Sequence, residues 1–259
     1  MVSKLQAHLM VDEGDIAPYV LLPGDPNRVL RIGEKMDSFR EVACNREFRT
    51  ITGSYEGIPI TVTSSGIGGP SAAIAVEELA NSGAKVVIRV GSCGAYSSSI
   101  EVGDVVIPAG VVKEDGTSKA YVSSSYPAIP DLQVLCALAK AAQDLHIPFH
   151  TGVGLSHDVF YARSAESIKS WSEQGVIAAD MESACVLTVG RMRSLQAGAV
   201  LAVVSAYDEI FRPWIGVKDY ATEAKSGAGE AALGEERAIL LALKAIVYLE
   251  KTGDNLLEI

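Results

Sequence analysis

The chain has 259 residues, 48% of them hydrophobic and 21% charged, which supplies a sizeable core for one α/β domain and makes wholesale disorder a poor reading. A formal net charge of −10 opposes the general attraction to a phosphate backbone, so nucleic acid is excluded as the expected partner. Any anionic ligand must then be held by a few basic side chains gathered locally, against the field of the whole molecule.

Tyr19-Val20-Leu21-Leu22 is a short apolar run closed by Pro23-Gly24-Asp25-Pro26, which predicts a buried strand entering a turn, with helix from Asn27. Gly53 to Gly57 separates two β-like segments, and Ile60 to Ser64 leads into Gly66-Ile67-Gly68-Gly69-Pro70-Ser71, predicting a hairpin that feeds a helix over Pro70 to Asn81. Proline near the start of that helix and Gly83 beyond its end match the usual asymmetry of helix boundaries. Lys85 to Val90 and Asp104 to Pro108 read as strands, Asp131 to Leu145 as an amphipathic helix, and His150 to Leu155 as a strand. Helices are expected over Ser164 to Gln174, with Ser167 and Ser170 on the wet face, and over Met181 to Arg193. The strand Ala199 to Ser205 and a helix from Gly229 to Glu250 complete the series. This alternation predicts a single α/β domain over residues 1–259, with a central mixed β-sheet flanked by helices and ligands gathered at the carboxyl ends of its strands.

Cys44, Cys93, Cys136 and Cys185 are widely spaced, with no Cys-x-x-Cys pair, and read as reduced thiols without a zinc site. Met1 to Met10 carries Lys4, Gln6 and His8 and no apolar block, and runs such as Ala199 to Val204 fall far short of the ~20 residues of a membrane helix, so a cytoplasmic protein with no membrane partner is expected.

Three stretches carry the candidate chemistry. Gly24-Asp25-Pro26-Asn27-Arg28 lies at a strand-to-helix junction, where free backbone N–H groups, the helix dipole and Arg28 suit an anion, although an ordinary turn with a surface arginine is the simpler reading of this stretch taken alone. In Ile88-Arg89-Val90-Gly91-Ser92-Cys93-Gly94 an arginine interrupts an apolar strand, which demands either a bound anion or a buried salt bridge to a core carboxylate. The glycines and Ser92 beside it permit close backbone approach and add donors. Asp180-Met181-Glu182-Ser183 is explained by helix capping, with Asp180 as N-cap, or by a carboxylate that grips the two secondary hydroxyls of a ribose while Met181 packs on the sugar face. Gly66-Ile67-Gly68-Gly69 fails the dinucleotide spacing and reads as close packing beside a site. Ser156-His157-Asp158 cannot point three adjacent side chains into one relay.

Taken in order, these motifs, with Asn45-Arg46-Glu47-Phe48 and Asp158-Val159-Phe160-Tyr161, resemble the hexameric-type nucleoside phosphorylases, which include uridine phosphorylases and bacterial and archaeal purine nucleoside phosphorylases. The resemblance runs from about His8 to Ser205. It implies that Gly24, Arg28, Arg89 and Ser92 bind phosphate, joined by Arg46 from a neighbouring subunit, and that His8 reaches across the same interface to the ribose. It further implies a ribose site of Asp180, Met181 and Glu182 and a base site of Cys93, Gly94, Phe160, Arg163 and Ser205, with Arg89 and Glu182 catalytic. The implied enzyme uses inorganic phosphate as co-substrate with no metal or organic cofactor, and assembles as a homo-oligomer of dimers sharing active sites, three dimers to a hexamer.

Two departures bear on the base. Purine-specific relatives place an acid after the serine ending the last strand, where this chain has Ala206; Asp208, two residues on, is a candidate base-site substitute, although a solvent-exposed carboxylate is the simpler reading of it. Uridine phosphorylases carry a Gln and Arg pair on a longer loop, whereas Phe160-Tyr161-Ala162-Arg163-Ser164 runs quickly into helix and offers Arg163 alone. Because a whole recognition loop is a larger change than one polar group worth ~1–3 kcal/mol, purine nucleosides are favoured over uridine. A water-using nucleosidase and a non-catalytic nucleoside-binding protein are the rivals. Arg28 and Arg89 turned to separate regions of solvent, or locked to core carboxylates, would overturn the assignment of a phosphate site.

Overall fold

The computed structural model describes residues 5–207 and 229–252. Nine strands form one mixed sheet: β1 (Tyr19–Pro23), β2 (Ser38–Asn45), β3 (Phe48–Tyr55), β4 (Ile58–Thr63), β5 (Val86–Ala95), β6 (Val105–Lys113), β7 (His150–Ser156), β8 (Val176–Asp180) and β9 (Gln196–Ser205). Their order is β2-β3-β4-β1-β5-β8-β7-β6-β9, and β9 returns to pair with β5, so the last five close on themselves. The parallel centre, β4-β1-β5-β9, is built from runs such as Val20-Leu21-Leu22, buried on both faces as such strands must be.

The helices are α1 (Pro26–Gly33), α2 (Gly69–Asn81), α3 (Gly116–Tyr121), α4 (Leu132–Asp144), α5 (Ala165–Glu173), α6 (Ser183–Met192) and α7 (Glu230–Thr252). One apolar cluster joins Val29 and Ile32 of α1, Val134 and Leu138 of α4 and Leu241 and Ile246 of α7 to Leu21 and Ile88 of the sheet. A second packs Val76 and Leu79 of α2 and Val186 and Val189 of α6 against Val20, Leu22 and Val87. The alternate residues of β1 therefore feed opposite layers, the period-two geometry of a strand. Among the described residues, no helix is long and apolar enough to cross a membrane.

The expected elements form, with corrections at their ends and in the stretches between. Asp25, Asp131 and Ser164 cap α1, α4 and α5, each accepting a backbone N–H, and Ser167 and Ser170 are exposed on α5. Helix starting at Met181 is corrected: Val176–Asp180 is strand β8, and α6 begins at Ser183 with Glu182, not Asp180, at the cap position. β5 runs on to Ala95 and β6 to Lys113, because Ser92 and Cys93 pair with Ala202 and Val203 of β9 and Lys113 pairs with Ser156 of β7.

Gly53 shows how tightly the β2-β3 edge is registered. A Cβ there would collide with the Ser38 carbonyl oxygen and stand 2.7 Å from the Cα of Phe39, the residue opposite it. Gly53→Ala is expected to destabilise the fold by about 1–3 kcal/mol through overpacking against backbone, read as a lowered urea midpoint at fixed protein concentration.

Candidate active site

The carboxyl ends of β1, β5 and β8 meet the amino-terminal ends of α1, α2 and α6, and the site is assembled there. Arg89 lies on β5 and is buried. Its Nε donates to Asp180 Oδ2 at 2.9 Å and its Nη2 to Glu182 Oε2 at 2.5 Å. The ring of contacts depends on Gly91, whose absent Cβ would stand 2.6 Å from Arg89 Nη2 and 2.7 Å from Cδ2 of Leu201, so the guanidinium folds over bare backbone. Burial alone lowers an arginine's pKa, but the carboxylates of Glu182 and Asp180 outweigh it and the net shift of Arg89 is upward.

Glu182 is the other half of this pair. Burial pushes its pKa above the ordinary carboxylate value, and Arg89 pulls against that push. Its Oε1 accepts the backbone N–H of Gly68 at 2.6 Å. Gly68 has φ 91 and occupies the cap position of α2 with no side-chain cap, so the amino-terminal end of that helix faces Glu182 and favours its ionised form. The glycine-rich stretch therefore lines the site. Two hydrogen bonds occupy part of a carboxylate that has about four acceptor positions, which leaves capacity for the hydroxyls of a ligand. Met181 beside it is half-buried.

Asp180 is held by several protein donors. Besides Arg89 it accepts from Ser156 Oγ at 2.5 Å, Ser183 Oγ at 2.5 Å and Ser183 N at 3.0 Å. Ser156 Oγ in turn accepts from Ala184 N at 2.9 Å. These bonds weld the start of α6 to β7 and hold Arg89.

Arg28 enters from α1. Its Nη1 donates to the Val90 carbonyl at 3.0 Å and its Nη2 to Ser92 Oγ at 2.8 Å, which sets the guanidinium against β5. Gly24 is pressed against the glycine-rich stretch, where Gly66 N donates to Gly24 O at 3.1 Å. Arg28 Nη2 also meets Glu235 Oε2 at 2.7 Å. Both arginines thus have carboxylate partners, and the condition set against a phosphate site is met in that respect. Arg28 does reach the strand that carries Arg89, at the Val90 carbonyl and Ser92 Oγ, and Arg28 Nε and Arg89 Nη1 are buried with no hydrogen-bond partner among the described residues. One of Arg89's carboxylates is Glu182 itself, which the sequence already placed in the site.

Arg46 and His8 stand apart from this pair. Arg46 is exposed on the β2-β3 turn with φ 56 and no ion pair to another described residue. His8 Nδ1 lies 2.7 Å from Glu78 Oε1, and its carbonyl accepts from Asn45 Nδ2 at 2.8 Å, so the two residues share one surface patch. The patch adjoins Gly66, where Glu47 bonds Ser71 Oγ at 2.8 Å.

Beyond β5 lies a third group. Gly94 pairs with Ser205 of β9, and Cys93 is buried, which raises its thiol pKa. Phe160 is 38% exposed and meets Tyr161 edge-on at 5.0 Å. Arg163 stacks 4.9 Å over the Tyr96 ring, with Nη1 2.9 Å from His157 Nε2. No carboxylate of a described residue pairs with it, and burial pulls its pKa down to about 10, so it remains a cation near neutrality. The Tyr96 hydroxyl and His157 Nδ1 are buried without hydrogen-bond partners among the described residues. Asp208 lies outside the described residues. Sequence reading missed Tyr96, His157 as a partner of Arg163, Ser156 and Glu235. Only Glu235, a carboxylate on the apolar face of a long helix, carried a signal that could have been followed.

A family model described as the phosphorylase superfamily matches residues 18–242. The chain is 45% identical over 198 residues to a guanosine phosphorylase of Halorubrum lacusprofundi, covering 76% of this chain and 82% of that one. It is 41% identical over 264 residues to a uridine phosphorylase of Thermococcus kodakarensis, covering 97% and 89%. The crystal structure of a uridine phosphorylase from Vibrio fischeri superposes with a TM-score of 0.85 at 39% identity, over 95% of this chain and 98% of that one.

Proposed function

The chain belongs to the phosphorylase superfamily and is a nucleoside phosphorylase, and we propose that it works by pinning orthophosphate under the ribose of a bound nucleoside. Phosphate oxygen attacks C1′ as the bond from C1′ to the base nitrogen breaks. The pentosyl group passes to phosphate, and the base leaves with the bonding pair and takes up, in the net balance, the proton that hydrogen phosphate gives up. The observation that supports this reading is that Arg89, buried on β5, pairs with Glu182, while the buried Arg28 bonds Val90 and Ser92 of the same strand.

Each residue has a defined task. Gly24, Arg28, Arg89 and Ser92 hold the anionic nucleophile, and Arg46 of a neighbouring copy completes the charge. Glu182 accepts the ribose hydroxyls and favours the oxocarbenium character that develops as the glycosidic bond lengthens, with Met181 against the sugar face. His8 of the neighbouring copy meets the ribose end, so the functional unit is a dimer, repeated in a hexamer. Asp180 serves by anchoring Arg89. No step calls on a metal or organic cofactor.

Guanine and uracil share a carbonyl beside a ring N–H, and Arg163 supplies donors to such a carbonyl, whereas the amino group of adenine would face it donor to donor. Guanosine and inosine are the favoured substrates. Uridine is the second reading, supported by the 41% identity to a uridine phosphorylase over nearly the whole chain.

The test is a panel of guanosine, inosine, uridine and adenosine incubated with and without phosphate, with release of free base followed by chromatography. Release from guanosine and inosine that requires phosphate is expected, with adenosine slowest. Equal release in phosphate-free buffer would mean hydrolysis and remove the proposed mechanism.

A further inference from the structure

Glu235 is a buried carboxylate on α7 that none of the steps above uses. It bridges two arginines of α1: Oε2 lies 2.7 Å from Arg28 Nη2, and Oε1 accepts from Arg31 Nε at 2.5 Å. Arg31 Nη2 continues to Asp25 Oδ2 at 3.1 Å, and Asp25 Oδ1 accepts the N–H of Asn27 at the start of α1. Four charges thus alternate in sign along one path, from the capping aspartate to the arginine beside Ser92. α7 is itself fixed at this end. Gly234 lies so close to Gly103 that a Cβ would stand 3.0 Å from its Cα, and Arg237 Nη1 donates to the Gly103 carbonyl at 2.9 Å.

An arginine side chain has much rotamer freedom to lose, and a guanidinium that must wait in one pose for an anion needs something to hold it. Val90 and Ser92 each take a single donor of Arg28, one through a neutral carbonyl and one through a neutral hydroxyl. Glu235 adds the charge-assisted contact, and Arg31 balances the negative charge that this brings near an anion site. We infer that Glu235 is a positioning residue that ties α7 to the phosphate cradle by fixing Arg28. This rests on the reading of Arg28 as a phosphate ligand.

Charge and geometry make opposite forecasts for Glu235→Gln. By charge alone, removing a negative group beside an anion site tightens phosphate binding; by positioning, an amide that turns an N–H toward a guanidinium releases Arg28 and weakens it. The expected result is a KM for phosphate raised about tenfold or more, the scale of one lost charged contact to Arg28, with kcat at saturating phosphate changed by less than about threefold and the KM for guanosine unmoved. Glu235→Asp, which keeps the charge but cannot span both arginines, should fall between; it also serves if the glutamine variant does not fold. An unchanged or lowered phosphate KM in a folded variant overturns the positioning role, as does a uniform loss of kcat with no phosphate dependence. Arg28→Ala is measured alongside: if it too leaves the phosphate KM unchanged, the cradle reading fails, whereas an effect there without one at Glu235 defeats the present inference alone.

Discussion

Arg89→Ala is expected to lower kcat/KM for phosphorolysis by about a hundredfold to a thousandfold, the scale of removing one preorganised donor from a charge-stabilising site. The side chain has two tasks, and both are lost: it would hold phosphate, and it holds Asp180 and Glu182 through bonds of 2.9 and 2.5 Å. With alanine the two carboxylates face each other in a buried space without a counter-charge, and breaking a buried pair in this way costs about 3–5 kcal/mol. Melting of the variant must therefore be followed beside its kinetics. Arg89→Lys retains the positive charge but cannot make the forked contact, so a large part of the kinetic loss should persist with a smaller loss of stability. Base release by the wild-type chain that is no faster than background, and equally unmoved by the alanine substitution, would identify a nucleoside-binding protein without catalysis.

Glu182→Gln separates charge from shape. The amide matches the carboxylate in size, so the Gly68 N–H and the sugar hydroxyls keep an acceptor, while the negative charge opposite the cationic sugar disappears. A fall in kcat of about a hundredfold is expected, with the phosphate KM little changed, because the loss is felt as the transition state forms. Stability should move little or improve, since burial already disfavours the charged form of Glu182. The sign of the pH dependence follows. A carboxyl whose pKa is raised on folding stabilises the fold below its unfolded value and loses that contribution as pH rises through the raised one. Activity runs the other way: the ionised form is the working one, so the wild-type acid limb of kcat should lie above the ordinary carboxylate value and vanish in the glutamine variant. A glutamine variant with wild-type kcat, or an acid limb it fails to alter, would remove Glu182 from the chemistry.

Much of the architecture was legible because burial and capping write themselves locally. Val20-Leu21-Leu22 is apolar at every position since both faces of β1 are covered, and Asp25, Asp131 and Ser164 announce helices through a single short side chain. The missed strands failed for opposite reasons. β2 is an edge strand whose first four residues, Ser38 to Glu41, are exposed, so no clean alternation marks it. β8 is five residues long and runs through Asp180 almost directly into α6, so its short apolar run was left unassigned between two expected helices. Gly91-Ser92-Cys93-Gly94 has poor strand propensity and is strand because β9 pairs with it along its length.

Arg89 states the division most clearly. Its presence in an apolar strand could be read from the sequence, and so could the demand for a partner, because burying a lone guanidinium is costly in any fold. The identity of the partner could not. Asp180 and Glu182 reach Arg89 across 91 and 93 residues, and Glu235 reaches Arg28 across more than 200, through strand registers and helix placements set by packing of the whole chain. Residue types and their order were enough to establish that charge is gathered where the apolar strands end. Which carboxylate restrains which arginine, and which is left with acceptor positions for a sugar, was decided by tertiary structure, because hydrogen bonds act over about 3 Å and only the folded backbone brings such distant positions that close.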